Sequence, residues 1–274
     1  MEHIGGQAVI EGVMMMSPKR LAVSVRLPNG KIKTKKEKNK KVKLAKAPFI
    51  RGGFILINTL VKGMKALIWS ADQQLGKEEK ITTKDIVLSL GMAIGLAIIL
   101  FIVIPFFVTK LFFERGLLFN IVDGLLRMVM FLAYILIISV MKDVKTLFQY
   151  HGAEHKAVNC FEAKKSLTLA NCKKFTTIHT RCGTSFIFIV LLVSIILFSI
   201  LLTPFWYINL AARIILIPVI GALSYELLKL GDKYKDKWFL SWLILPGKLI
   251  QKITTKEPTN KQIEVAITSL KAVL

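Results

Sequence analysis

A chain of 274 residues that carries a formal charge of +22 and is still 54% hydrophobic, with a mean hydropathy of +0.56, is neither an ordinary soluble domain nor a disordered polycation. The two properties coexist only where apolar and basic residues are segregated along the chain, as in a multi-pass membrane protein. Its three cysteines, Cys160, Cys172 and Cys182, are odd in number and widely spaced, which argues against both a disulfide framework and a C-x-x-C zinc ribbon.

Residues 1–50 read as a β-rich segment that ends in a lysine run. Ala8–Met16 and Leu21–Leu27 are apolar and rich in β-branched residues, Pro28-Asn29-Gly30-Lys31 has tight-turn chemistry, and Lys31–Lys35 alternates, so a small antiparallel sheet is expected. Glycines bracket the first apolar stretch, which holds a lone Gln7 and a lone Glu11. Two readings stay open for that pair. Glu11 faces solvent from a strand, or Gln7 and Glu11 approach a metal or substrate through close backbone contact. Lys31–Lys46, interrupted only by Glu37 among charges of the other sign, reads as a solvated segment. Beside an anionic leaflet each such residue contributes about 1 kcal/mol of attraction, and the run equally suits an RNA-rich partner such as the ribosome. It lacks stacking aromatics, which argues against sequence-specific nucleic-acid reading.

Residues 51–80 predict an amphipathic helix. Phe54, Ile57, Leu60, Val61, Met64, Leu67 and Ile68 recur at helical spacing, with Lys62 and Lys65 off that stripe, so the helix is expected to lie along the membrane interface. Two pairs of long apolar runs follow. Ile86–Phe107 with Leu118–Met141 forms a first transmembrane hairpin (86–141), and Ser185–Thr203 with Ile208–Leu228 a second (185–230); about 20 residues each crosses roughly 30 Å of hydrocarbon. The expected fold is therefore an α-helical integral membrane protein with four transmembrane helices, a small N-terminal β element and interfacial amphipathic helices.

Orientation follows from the basic residues. Segment 1–85 holds 18 Lys/Arg against 7 Asp/Glu, 142–184 holds 8 against 3, and 229–274 holds 9 against 4, whereas the other two connections carry almost none. Short cytoplasmic segments collect Lys and Arg, so both termini and the 142–184 loop are expected in the cytoplasm of a cell-membrane protein. No signal peptide is expected. In 231–274, Trp238–Ile253, with Trp238 and Trp242 as belt residues and a break at Pro246-Gly247, predicts a second interfacial helix, and a short last helix is expected from about Thr259. Inside the spans an unpaired charge costs about 2.5–3.5 kcal/mol. Asp123 and Arg127, four apart, are expected to pair, and with Arg213 to form a small buried ion network.

The chemistry concentrates in the 142–184 loop. His151 and His155 are four apart, one turn along a helix, with Glu154 beside them in an H-x-x-E-H pattern. In zinc hydrolases with this spacing the histidines ligate the metal and the carboxylate acts as general base. The plain alternative is two histidines that hydrogen-bond near a helix end. A second cluster, His179-Thr180-Arg181-Cys182, offers another imidazole and a thiol, enough to complete an N/S site for a divalent metal, most naturally zinc. Arg181 favours a thiolate at Cys182, so a redox or nucleophilic cysteine without metal stays open. Glu226, at the inner end of the fourth span and 71 residues past His155, is either a further ligand or a snorkelling carboxylate paired to Lys229.

Three of these strings, GGQAVIEGVMM (5–15), YHGAEHK continued to Cys160 (150–160) and HTRCGTSF (179–186), together with the tail GKLIQKITTKEPTNKQIEVA (247–266), resemble the YqhQ-type family of bacterial membrane proteins. The likeness covers essentially the whole chain. It implies a metal-dependent enzyme with His151, Glu154, His155, His179 and Cys182 as the site and Gln7 and Glu11 as partners. Met16 stands where such proteins often carry a basic residue.

Two functions compete on this basis. The first is a metal-dependent, hydrolase-like integral membrane enzyme at the cytoplasmic face, with zinc on His151, His155 and His179 or Cys182, and Glu154 as base. The second is a non-enzymatic adaptor in membrane-protein biogenesis, whose basic faces dock a translocon, a ribosome or anionic lipid while the metal staples the loop. A transporter is disfavoured, because the spans offer no midplane ion relay. Four closed N/S ligands would mark a structural zinc, and three with an open position a catalytic one.

Overall fold

The computed structural model describes residues 4–39, 50–75, 82–114, 116–200, 205–233 and 238–274. The expected small sheet is present as four antiparallel strands, β1 (Gly5–Val9), β2 (Gly12–Met16), β3 (Arg20–Arg26) and β4 (Ile32–Lys38), ordered β1-β2-β3-β4. The β3–β4 turn uses Gly30 at φ 82, the left-handed conformation its sequence anticipated. The first hairpin departs from expectation. Ala8–Met16 is not one strand but folds back at Ile10-Glu11, and Glu11 sits in the turn at φ 50 rather than facing out from a strand. The remainder of the lysine run, 40–46, lies outside the described residues.

The long apolar run misled because both faces of this sheet are covered, which removes the alternation that marks a half-exposed strand. On one face Val13, Met15 and Ala22 pack against α5 (Lys142–Glu162), α6 (Leu169–Lys173) and α11 (Asn260–Val273), through Tyr150, Ala153, Ala157, Cys172, Ile263, Ala266 and Leu270. On the other, Val9, Met14, Leu21, Val23 and Val25 meet Ala66, Leu67 and Trp69 of α1 (Ile50–Asp72). The N-terminal strands, the central motif helix and the C-terminal helix thus share one core. Helix α11 starts where the sequence places it, with Thr259 as N-cap in a capping box with Gln262.

Among the described residues four helices are long and apolar enough to cross a membrane: Gly52–Asp72, Thr83–Lys110, Leu117–Ser139 and Gly183–Ile200. The second comprises α2 (Thr83–Ile98), a π-helical turn at Ile99–Val103 and α3 (Ile104–Lys110), the widening lying just ahead of Pro105, which cannot donate to the ladder. The third and fourth are α4 (Leu117–Ser139) and α7 (Gly183–Ile200). Three of the expected spans are therefore matched, and α1 meets the same criterion although its sequence suggested an interfacial helix. The remaining expected span, Ile208–Leu228, is two helices, α8 (Trp206–Ile215) and α9 (Ile217–Lys233), meeting at 49° just before Pro218, which lacks the N–H needed to continue the ladder. Helix α10 (Trp238–Thr254) runs unbroken through Pro246, against the expected break, and packs on α4 and α7. The side chains of Trp238 and Trp242 lie outside the described set.

The expected ion network is present between α4 and α8. Asp123 accepts from Arg127 at 2.9 Å and from Arg213, and Arg213 also donates to Asn209 at 2.9 Å and Asn120 at 2.7 Å. The Arg213 guanidinium lies 4.8 Å from the Phe198 ring and 5.2 Å from that of Phe106, so apolar helices shield the cluster.

Candidate metal centre

Helix α5 carries the H-x-x-E-H segment, and its start fixes where the site lies. The chain breaks between α4 and α5 at Met141, which is extended at φ −69, ψ 135, so the motif helix is not a straight continuation of the span before it. Three α5 side chains then converge. The His151 and His155 rings stack edge to face with centroids 4.4 Å apart, and Glu154 Oε2 lies 3.6 Å from His155 Nε2.

Each imidazole is held through the same nitrogen. His151 Nδ1 lies 2.9 Å from the carbonyl of Thr254, at the end of α10, and His155 Nδ1 makes a short contact to the carbonyl of Thr177. A carbonyl only accepts, so both Nδ1 atoms carry the proton and both Nε2 lone pairs are left facing the cluster. Cys182 brings its Sγ to 3.2 Å from His151 Nε2. It stands immediately before α7, where the Thr184 backbone N–H donates to the sulfur at 3.4 Å, a contact that favours thiolate against the opposing effect of burial. Ligand atoms of His151, His155 and Cys182 all lie within 4.8 Å of one another.

The other candidates sort by distance from this trio. His179 lines the same cavity, but its Nε2 lies 3.3 Å from Glu162 Oε2 and its Nδ1 accepts from the Arg181 backbone N–H at 3.4 Å. Arg181 also lines the cavity and forms an ion pair with Glu162. Gln7 reaches it from β1, its amide lying over Gly63 of α1. Glu11 instead accepts from the Tyr150 hydroxyl at 3.1 Å, one residue before His151, and props α5 against the first hairpin. Glu226 is half-buried on α9 and outside the cavity lining, whereas its neighbour Tyr225 is part of it.

Several contributors carry no signature that sequence reasoning reads. Thr177 and Thr254 act through backbone carbonyls. Gln251 clamps the second cluster, accepting from His179 N–H and donating to His179 O, both at 2.9 Å. Gly6 was the one legible hint: it sits against Glu154, where an added Cβ would come within 2.6 Å of Cγ.

Burial sets the electrostatics. Glu154 is pushed above the usual carboxylate range by desolvation, opposed by the charges of His151 and His179. Desolvation and the neighbouring His151 hold His155 well below its ordinary value, hence neutral. Burial raises the Cys182 thiol to about 11, opposed by hydrogen bonds from Thr184. The His155 imidazole, the Cys182 thiol and the Glu154 carboxyl all resist charge in isolation, and with the lone pair of His151 beside them they fit a divalent cation, which favours the ligating form of each donor. The cavity over them has a volume of about 360 Å³ and is walled by β1, α1, α5 and α9.

A family model described as protein of unknown function (DUF1385) matches residues 47–274. The uncharacterized protein YqhQ of Bacillus subtilis (strain 168) is 33% identical over 296 residues, spanning 98% of this chain and 92% of that protein. No solved structure matches. With 228 residues under the model and a full-length relative above 30% identity, the chain belongs to the DUF1385 family, whose YqhQ-type members its four motifs resemble.

Proposed function

We infer that this chain is an integral-membrane, metal-dependent enzyme of the hydrolase type, with zinc held by His151, His155 and Cys182. The observation that carries the reading is the shared Nδ1-to-carbonyl anchoring of the two histidines, which leaves both Nε2 atoms free of those carbonyls and sets His151 Nε2 against the Cys182 sulfur; ligating histidines are oriented in this way by outer hydrogen bonds. With His179 turned toward Glu162, the set has three protein donors, which suits a site with an open position. Zinc would supply Lewis acidity there. Glu154, buried and raised, holds or releases a proton beside it, and His179 with Arg181 and Glu162 forms the outer wall. A structural staple would need a fourth donor in place of that opening.

Topology supports a site at one membrane face. The sheet, α5 and α11 share a core, so the chain crosses an even number of times between β4 and α5 and again between α5 and α11. The segments α2–α3 with α4, and α7 with the bent α8–α9, supply those pairs. A crossing by α1 would make the first count odd, so α1 lies along the interface, with Ala66, Leu67 and Trp69 on the sheet and Phe54, Ile57 and Leu60 exposed toward lipid. The excess of Lys and Arg on the sheet side makes that side cytoplasmic.

The test is the metal content of purified full-length protein beside a His151→Ala, His155→Ala double variant. Near-stoichiometric zinc in the first and none in the second is expected; equal, sub-stoichiometric metal in both would sink the reading.

A further inference from the structure

We propose that the free edge of β1 binds a substrate polypeptide as an added strand, which makes the substrate class of this site an extended peptide; this rests on the metalloenzyme reading above. The hydrogen-bond register identifies the edge. Glu11 O accepts from Arg26 N and Ser17 N donates to Arg20 O, so Glu11, Val13, Met15 and Ser17 turn their backbone groups to β3. Gly12, Met14 and Met16 therefore turn theirs to β1, where they pair with Val9, Gln7 and Gly5. The groups of Gly6, Ala8 and Ile10 point outward.

Helix α1 covers the far end of that edge, Ser70 Oγ accepting from Ile10 N–H at 3.1 Å. Gly6 and Ala8 keep outward N–H and C=O groups with no hydrogen-bond partner among the described residues. Their spacing, every second residue, is the repeat of a β ladder.

What lies beside this edge separates it from an ordinary strand rim. Gly5 and Gly6 are exposed and, with Gln7, form one wall of the 360 Å³ cavity that contains His151, Glu154, His155 and Cys182. An edge strand usually carries bulky or charged residues that block pairing, and here the two residues nearest the cluster are glycines. Gly6 touches the Glu154 carboxylate, so a chain paired to Gly6 and Ala8 passes the cluster with its own carbonyls in reach. Main-chain bonds give such recognition little sequence preference, and the few side-chain contacts, from Gln7, Thr59 and Tyr225, add selectivity. Hydrolysis of an amide held there adds one water: the C–N bond breaks, hydroxyl goes to the acyl carbon, and a proton goes to the leaving nitrogen by way of Glu154.

The experiment uses zinc-loaded full-length protein in detergent and fluorescein-labelled, reduced casein as an unfolded polypeptide probe. Binding is read by anisotropy and by hydrogen exchange over Gly5–Ile10. Ala8→Pro removes one outward donor while the β1–β2 bonds of Gly5, Gln7 and Val9 remain, and Ala8→Ser keeps it. Casein is expected to slow exchange in Gly5–Ile10, and Ala8→Pro to bind it about tenfold more weakly than Ala8→Ser, at unchanged zinc content. Unaltered exchange in the wild-type segment, equal affinity of the two variants, or protection given by phospholipid vesicles instead of casein would overturn the proposal, and the wild-type exchange result decides it if Ala8→Pro misfolds. Strand protection in a protein that takes up no zinc would defeat the metal reading and leave the edge; zinc without strand protection would do the reverse.

Discussion

His151 and Cys182 stand 31 residues apart in sequence and meet with Nε2 3.2 Å from Sγ. The contact joins the middle of the motif helix to the residue just before a membrane-length helix, and Thr254, at the end of α10, fixes the other side of the His151 ring. A site assembled at this junction ties the core shared by the sheet, α5 and α11 to the membrane-length helices.

The protonation of His155 and Cys182 sets the pH dependence of zinc uptake. His155 is already neutral near pH 7, whereas the Cys182 thiol sits at about 11 and must lose its proton to ligate. Zinc binding at pH 7 should therefore release about one proton, and apparent affinity should rise about tenfold per pH unit. Calorimetry in buffers of different ionisation enthalpy measures the release, and Cys182→Ser should abolish it and weaken zinc binding by about 100-fold or more.

Glu154 governs the stability of the zinc-free protein. Its folded pKa is raised, so its contribution is fully present below the unfolded value of 4.5 and is lost as pH rises through the folded value. Glu154→Gln removes that loss. The variant should melt higher than wild type in chelator at pH 7, with the difference shrinking toward pH 4.5. His155 acts in the opposite sense, its contribution being present above 6.5 and lost as pH falls, and it is common to both proteins.

Gly6→Ala tests the contact between β1 and the motif helix. The new methyl would lie 2.6 Å from Cγ and 2.7 Å from Cδ of a buried side chain, so one of the two must move. A loss of about 1–3 kcal/mol in denaturant unfolding is expected. Gly5→Ala, with nothing within 4 Å of the added carbon, should be close to neutral.

Asp123 is the counter-ion of two buried guanidiniums. Asp123→Asn leaves Arg127 and Arg213 facing each other without it, at a cost of about 3–5 kcal/mol. Arg213→Met leaves the Asp123–Arg127 pair intact and should cost less, as judged by thermal aggregation in detergent.

Local signals carried much of this fold. The Gly30 turn, the Thr259 cap, three apolar runs and the i,i+4 spacing of Asp123 and Arg127 each specify their structure within a few residues. Glu11 did not, because a left-handed glutamate in a tight turn lacks the asparagine or glycine that would announce it. The α8–α9 bend falls just before Pro218, which the reading of Ile208–Leu228 as one span passed over, whereas Pro246, where a break was expected, leaves α10 uninterrupted, packed on α4 and α7. In the candidate site, the side chains that come together, His151, His155 and Cys182, stand in the two clusters that type and spacing marked. The carbonyls of Thr177 and Thr254 were not legible, because any residue presents a carbonyl, and Glu162 became the partner of His179 only through tertiary folding.

Zinc K-edge X-ray absorption on the purified full-length protein tests the central claim most directly. One sulfur at about 2.3 Å and two imidazole nitrogens at about 2.0 Å, with the remaining position filled by oxygen, is the predicted sphere. A sphere without sulfur, or one closed by a third imidazole from His179, would contradict it.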